Sequence, residues 1–557
     1  MGGVVLYAIA AKNKHDHDTS LLVPTKVIDS HTSIGGQPTS ETPPKTPPQP
    51  PHTQTTAPPV VQPPQPNTPA SRPTPVSLSP KQDAVVASIE KELPYNALAS
   101  PPNDPYYASS WAMQKTNATD AWNISTGSSV TVAVIDTGFA LQHEDLSSQW
   151  AVNNGEQGTT AVGDRCWTGS PQNKDTNTCD DDDNGYIDDW RGWNFVSKTN
   201  LPQAGQTSTG GINAISHGTS VAGLIGAATN NSKGIATYNW SVKLMPLQAL
   251  DDNGDGITSS IVAAIYYAVD NGASVINLSL GGPDSDPAVQ AAIDYAYAQN
   301  VVVVAAAGNC GTTGDAGCGG EPAPLMMYPA LSNHVIAVGA VDSTDKRASF
   351  SSYGPGLDVM APGSGTIISP LIDTRNTPYN YLTAYAGSLY GTSFASPIVS
   401  GIAALIKSIR PSTRSDDITA LINASATKVS AMNAAVYSTQ YGHGLVNAGT
   451  AAVVANSLMQ TQTSEPKLLQ TGDYRSEHSF STNSLMSSGC LVAPLTYCTV
   501  HMNNPINGFD RYLPFVKTNA QGQAGWQWKG DMLGSGEWSL RAMQGDAVSA
   551  SYLLFTK

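Results

Sequence analysis

The sequence predicts an α/β protein, a parallel sheet with helices on both faces, followed by a small β-rich C-terminal module. Two patterns carry that reading. Apolar, β-branched runs of strand length recur at Ser129–Ile135, Val242–Leu247, Ser274–Leu280, Val301–Ala306 and Val335–Val341, and unbroken apolar runs mark strands covered on both faces. Between them lie stretches of helical spacing such as Thr258–Asp270 and Pro287–Ala298; strands alternating with helices imply parallel pairing through crossovers.

The 557 residues are enough for a large core with accessory segments. A formal charge of −15 with no basic stripe argues against nucleic-acid binding. Residues 1–23 read as an N-terminal signal segment. A short apolar run ends in Ala8-Ile9-Ala10, an A-x-A pattern that a signal peptidase accepts, without a basic n-region. Residues 24–102 read as a Pro-rich spacer with one short helix over Asp83–Leu93. Pro24 to Pro80 holds nearly half of the chain's 39 prolines, and it has too little apolar surface to offset its ordering entropy. The main domain spans 103–455, a polar connector 456–479, and the β-rich module 480–557. In that module Trp526, Trp528 and Trp538 read as core.

The six cysteines fall as three close pairs, Cys166/Cys179, Cys310/Cys318 and Cys490/Cys498. No CxxC and no zinc-spaced histidines accompany them. Local disulfides in an oxidising compartment are the better reading, with free buried thiols the alternative and connectivity open. Secretion is expected, with a surface-associated or periplasmic location as the other option and no transmembrane span. The expected partners are protein or peptide substrates, acted on by a monomer.

Three polar residues stand at places where chemistry is built. Asp136 closes the first strand, at the mouth where α/β folds assemble sites. His217 opens a small-residue helix, and Ser393 lies at or near the start of another, where the helix dipole favours a developing anion. Pro397 is tolerable there only within a first turn. An Asp-Thr-Gly also begins an aspartic-peptidase loop, but no second copy is present to pair with it.

Taken together, Val134-Ile135-Asp136-Thr137-Gly138, His217-Gly-Thr-Ser-Val-Ala-Gly223, Ser279-Leu280-Gly281-Gly282, Ala306-Ala307-Gly308-Asn309 and Gly391-Thr392-Ser393-Phe-Ala-Ser-Pro397 resemble the subtilisin-like serine peptidases. The resemblance runs from about Asn103 to Ala455, and its motifs occur in the family's order. It implies a subtilisin-like fold and a serine endopeptidase. Ser393 would be the nucleophile, His217 the base and Asp136 its orienting carboxylate. Asn309 would be an oxyanion donor beside the Ser393 N–H. Ser279, Leu280, Gly281 and Gly282 would pair with the substrate backbone. A P1 side chain would lie between them and Ala306 and Gly308, with broad or apolar preference; Asp315 and Glu321 in the next loop are the only nearby acids. Family members often carry a folded inhibitory prodomain, where this chain shows the Pro-rich spacer. The alternative is a catalytically inactive scaffold that binds through its C-terminal module.

Asp180-Asp-Asp-Asp-Asn-Gly-Tyr-Ile-Asp-Asp189 alternates carboxylate and amide oxygens around a glycine, a compact loop suited to a hard cation. It resembles calcium loops of the family. Asp180, Asp182, Asn184, the Tyr186 carbonyl and Asp189 are the expected ligands of a structural Ca²⁺. Asp251-Asp-Asn-Gly-Asp255 is superficially alike but reads as a turn.

Overall fold

The computed structural model describes residues 101–459 with short interruptions at 129, 206–211, 313–317, 319–322, 376–377, 434 and 436. Backbone strands are also described at 5–8 and between 467 and 556. The expected helix at Asp83–Leu93 and the Pro-rich spacer lie outside the described residues, as do Asp315, Glu321 and the side chains of Cys490 and Cys498.

In chain order the strands are β1 (Val5–Ala8), β2 (Thr131–Asp136), β3 (Trp193–Asn194), β4 (Lys243–Gln248), β5 (Asp255–Ile257), β6 (Val275–Leu278), β7 (Leu280–Gly281), β8 (Val302–Ala306), β9 (Val335–Val341) and β10 (Val359–Pro362). The longer helices are α1 (Ile212–Gly226), α2 (Thr258–Asp270), α3 (Pro287–Ala298), α4 (Thr392–Ile409), α5 (Ser415–Ser425) and α6 (Ala448–Met459). One seven-stranded parallel sheet runs in the order β10-β9-β8-β6-β2-β4-β3.

The two-residue period of each strand sorts its side chains into two cores. Val132 and Val134 of β2, Val302 and Val304 of β8, and Ile336 and Val338 of β9 pack with α1 and α4. The intervening Ala133, Ile135, Val303, Ala305 and Ala337 pack on the opposite face with α2 and α3. That division is why the strand runs read as unbroken apolar stretches. The predicted ranges of α2 and α3 coincide with the observed ones. The α3 N-terminus is closed by Asp286, whose carboxylate accepts the Ala288 N–H at 2.8 Å, with Pro287 in the first turn.

One expected strand is divided. Ser274–Leu280 forms β6 and β7, and β7 leaves the main sheet for a three-stranded one with β1 in its centre. There β1 is antiparallel to both neighbours, with Val5 opposite Ile257, Leu6 opposite Gly256, Tyr7 opposite Asp255 and Gly281, and Ala8 opposite Leu280. Helix α4 is the one described helix long and apolar enough to cross a membrane by length and composition, and 89% of that stretch is buried inside the protein. It is a core helix.

In the C-terminal region, Leu485–Leu491 pairs antiparallel with Lys467–Gln470 and with Gln523–Lys529. A second ladder joins Tyr497–Asn504, Gly536–Gln544 and Tyr552–Thr556, also antiparallel.

A buried histidine couples this fold to pH. Asp145 donates its backbone N–H to His143 Nδ1 at 3.2 Å, and His143 Nε2 lies 2.9 Å from the Ala384 carbonyl, a pattern that fits only neutral imidazole. Burial pushes His143 down to about 4. Between about pH 6.5 and 4 the unfolded chain therefore takes up a proton that the folded chain refuses, and stability falls as pH falls, by about 3 kcal/mol for this group. Neighbouring Asp145, raised to about 7 by burial, acts in the opposite sense over pH 7 to 4. A His143→Gln variant removes the first effect and keeps the second. Urea unfolding should show the stability gap between wild type and variant narrowing by about 3 kcal/mol from pH 7 to 4; a gap independent of pH would refute this.

Candidate active site

Asp136 is the last residue of β2 and fully buried. Its Oδ1 accepts the Thr137 N–H at 2.7 Å and stands 2.7 Å from His217 Nδ1. The other oxygen, Oδ2, and His217 Nε2 are buried with no hydrogen-bond partner among the described residues. Helix α1 can bring His217 this close because Gly218 follows it. A Cβ at Gly218 would lie 2.5 Å from the Gly138 carbonyl and 3.1 Å from Asp136 Cβ. The helix is held in place by hydroxyls: Ser216 Oγ donates to the Ile372 carbonyl at 2.9 Å and Ser220 Oγ to the Pro370 carbonyl at 2.8 Å.

Ser393 is the second residue of α4 and fully buried. The helix begins after Gly391, whose φ of +150° only glycine adopts readily. The His217 ring lies 5.4 Å, centroid to centroid, from Phe394, so the imidazole and the serine's turn are neighbours. Pro397 falls beyond the first turn, contrary to expectation, and the structure shows why this is tolerated. A residue at 397 would donate its N–H to the Ser393 carbonyl, and proline has none. Ser279 Oγ donates to that carbonyl instead, at 2.8 Å. Asn277 Nδ2 in turn donates to Ser279 Oγ, while Asn277 Oδ1 accepts from Ser396 and Ser400, all at 2.9 Å.

Asn309 follows β8 and is buried. Its Oδ1 accepts the Thr392 N–H at 3.0 Å and lies 3.1 Å from Thr392 Oγ1, which turns the amide so that its NH₂ end points away from Thr392. Thr392 Oγ1 also accepts the Gly308 N–H at 3.2 Å. The residue before the serine thus locks the loop that carries Asn309.

The two segments expected to flank a P1 side chain, Leu280–Gly282 and Ala306–Gly308, are both hydrogen-bonded to the segment that carries Met327, a residue with no signal in the sequence, since it lies far along the chain from either motif. Gly282 and Tyr328 exchange backbone hydrogen bonds at 2.8 and 2.9 Å, and Met327 N–H donates to the Ala307 carbonyl at 2.9 Å. Met327 is buried and clusters with Ala306, Cys310 and Cys318. At Gly308, with φ of +111°, a Cβ would approach Met327 Cγ to 2.9 Å. Cys310 and Cys318 form a disulfide, as do Cys166 and Cys179.

In the acidic loop, Asp180 accepts the backbone N–H groups of Asn184 and Gly185, and Asn184 Oδ1 accepts that of Tyr186. Asp182 and Asp189 converge with Glu156, each offering an oxygen within 4.8 Å of the others. Glu156 was not anticipated: it stands alone in sequence, well before the loop. Its Oε1 accepts the Asp181 and Asp182 N–H groups, and its Oε2 is buried with no partner among the described residues. Burial, with Asp182 and Asp189 adding repulsion, raises its carboxyl to about 7. Asp251 accepts the N–H groups of Asn253 and Asp255 and forms the expected turn.

A seven-stranded parallel sheet with a buried Asp–His pair at a strand end, beside a serine that opens a buried helix, defines the chain as a serine endopeptidase of subtilisin-like fold. The chain belongs to the subtilase family, whose model, described as Peptidase_S8, matches residues 127–444. It is 35% identical to thermitase of Thermoactinomyces vulgaris over 62% of this chain and 97% of that protein. It is 43% identical to subtilisin DY of Bacillus licheniformis over 42% of this chain and 77% of that protein. Among solved structures, a protease from Pseudoalteromonas arctica PAMC 21717 is similar at 30% identity and a TM-score of 0.46, over 64% of this chain and all of that one.

Replacing Ser279 with alanine leaves the Ser393 carbonyl without its donor in a dry setting, a loss of about 1–3 kcal/mol. Ser279→Ala should lower unfolding free energy by that amount in urea titrations, and Pro397→Ala in the same background should restore part of it. No restoration would show that the Pro397 gap is not what Ser279 fills.

Proposed function

We propose that this endopeptidase is exported and cleaves peptide bonds through an acyl-enzyme on Ser393. The buried 2.7 Å contact between His217 and Asp136, adjoining the first turn of α4, carries this reading. Ser393 Oγ attacks the scissile carbonyl, and His217 Nε2 takes its proton. Asp136 holds the other ring nitrogen protonated and stabilises the imidazolium. The oxyanion is met by the Ser393 N–H, at the positive end of α4, and by the Asn309 amide. His217 then returns its proton to the leaving amine, and water releases the acyl group by the same route.

An extended substrate pairs along Ser279–Gly282, as β1 pairs along Leu280–Gly281. Its P1 side chain enters between Leu280–Gly282 and Ala306–Gly308 and meets Met327 and the Cys310–Cys318 bridge. Among the described residues these surfaces carry no charge, which supports an apolar P1 residue. The two disulfides support an oxidising, extracytoplasmic location.

The acidic cluster fits Ca²⁺, which would supply positive charge that ties the loop together. Glu156, Asp182 and Asp189 offer hard oxygens, and the unpartnered Glu156 Oε2 is the buried atom such an ion would satisfy. Asp180, Asn184 and the Tyr186 carbonyl complete the expected ligand set.

Two experiments test these readings. A fluorophosphonate probe should label the folded protein at Ser393 and not Ser393→Ala. Asn309→Ala should label far more slowly, with kcat on a peptide reduced about 10²–10³-fold. A folded protein that takes no probe would favour the inactive binding scaffold. For the metal, EDTA should lower Tm and added Ca²⁺ restore it, with Glu156→Gln shrinking the difference. An identical Tm with and without chelator would dismiss the site.

A further inference from the structure

A cavity of about 910 Å³ lies outside the catalytic residues, between the acidic loop and helix α2. Its wall includes Tyr186, Trp193, Phe195, Ile257, Ser259 and Ala263. The aromatic rings are fixed edge to face: Tyr186 stands 5.1 Å from Trp193 and 5.8 Å from Phe195, centroid to centroid. Three exposed apolar side chains line the same cavity, Ile187 at 48%, Val196 at 42% and Ile257 at 54% accessibility. Exposed apolar groups gathered around an aromatic-walled hollow mark a binding surface rather than scattered surface residues.

The cavity is continuous with the peptide slot, because Asp255, Gly256 and Ile257 of β5 belong to both. The register of β1 shows how an extended chain passes this wall. The residue that follows Ala8 in register would face Ser279, beside the nucleophile. Counting that position as the first before the scissile bond, the third faces Asp255, the fourth Gly256 and the fifth Ile257. Directly opposed residues on neighbouring strands project to the same face. Gly256 is buried, while Asp255 and Ile257 are exposed, so a fifth residue projects on the Ile257 side, which lines the cavity.

We propose that this cavity is an accessory subsite that takes an apolar or aromatic side chain at the fifth substrate residue before the scissile bond. The proposal rests on the reading that a peptide occupies the β5–β7 slot for cleavage at Ser393. It makes long peptides better substrates than short ones, and gives the enzyme a second apolar selection point well removed from P1.

The test compares peptides that share four residues before the scissile bond and differ at the fifth, with Phe, Gly or Asp there, alongside the peptide truncated to four. Wild-type enzyme should cleave the Phe peptide with kcat/KM at least about tenfold above the Gly peptide, equal to about 1.4 kcal/mol, and the Asp peptide least well. Ser259→Trp, which fills the cavity from the α2 side, should bring the Phe/Gly ratio close to one while leaving the truncated peptide unchanged. Cleavage of the truncated peptide also reports that the variant is folded, and Ala263→Leu serves as a second filling variant. Equal kcat/KM for all fifth residues in wild type, with normal cleavage, would overturn the subsite alone. A ratio that survives both filled variants would also overturn it. Failure to cleave any peptide and to take the fluorophosphonate probe would overturn the catalytic reading and the subsite with it.

Discussion

The Ser279 hydroxyl that donates to the Ser393 carbonyl is the contact on which the geometry of the site depends. Pro397 opens a gap in the backbone ladder of α4, in the second turn of the helix that carries Ser393. A gap of that kind inside a dry core costs more than an ordinary lost hydrogen bond, because water cannot fill it. Closing it with a side chain from the segment linking β6 to β7 joins helix to strand at Ser393. Asn277 extends the tie, since it holds Ser279 with its amide nitrogen and Ser396 and Ser400 with its oxygen. A polar residue within an otherwise apolar strand is thereby fully used.

Close approach is the second requirement, and it is met by missing side chains. Helix α1 must lie against the end of β2 for His217 to reach Asp136, and Gly218 allows it. Farther along the same helix, a Cβ at Gly223 would sit 2.4 Å from Pro370 Cδ, and one at Gly226 would sit 2.2 Å from Val242 Cγ1. The small-residue character of the helix is therefore a packing requirement along its length. The Asp136–His217 contact in its second turn would otherwise be out of hydrogen-bond reach.

The sheet, the helices α2 and α3 and the placement of Asp136 and Ser393 were legible because each leaves a local mark: an unbroken apolar run, a helical period, a polar residue near an element's end. His217, read as opening its helix, lies instead in the second turn of α1, which begins at Ile212. What escaped was made by contacts between distant segments. Met327 comes beside Ala306 only when the chain around it pairs back with Gly282 and Ala307. Glu156 joins Asp182 and Asp189 only when the acidic loop folds back on it. The division of Ser274–Leu280 into two strands follows from β7 turning to a different partner, which composition alone does not reveal. Pro397 was read as lying within the first turn; because α4 begins at Thr392, the proline falls in the second turn and the Ser393 carbonyl takes its donor from Ser279.

The strand β1 has a consequence for how the slot behaves in solution. It belongs to the same molecule as the slot, so its local concentration is set by the chain that joins them, not by the amount of protein present. Dilution does not empty the slot. While the two stay in one chain, a free peptide enters only by outcompeting this tethered neighbour; a cut after Ala10 would turn the neighbour into a diffusible peptide and open the slot.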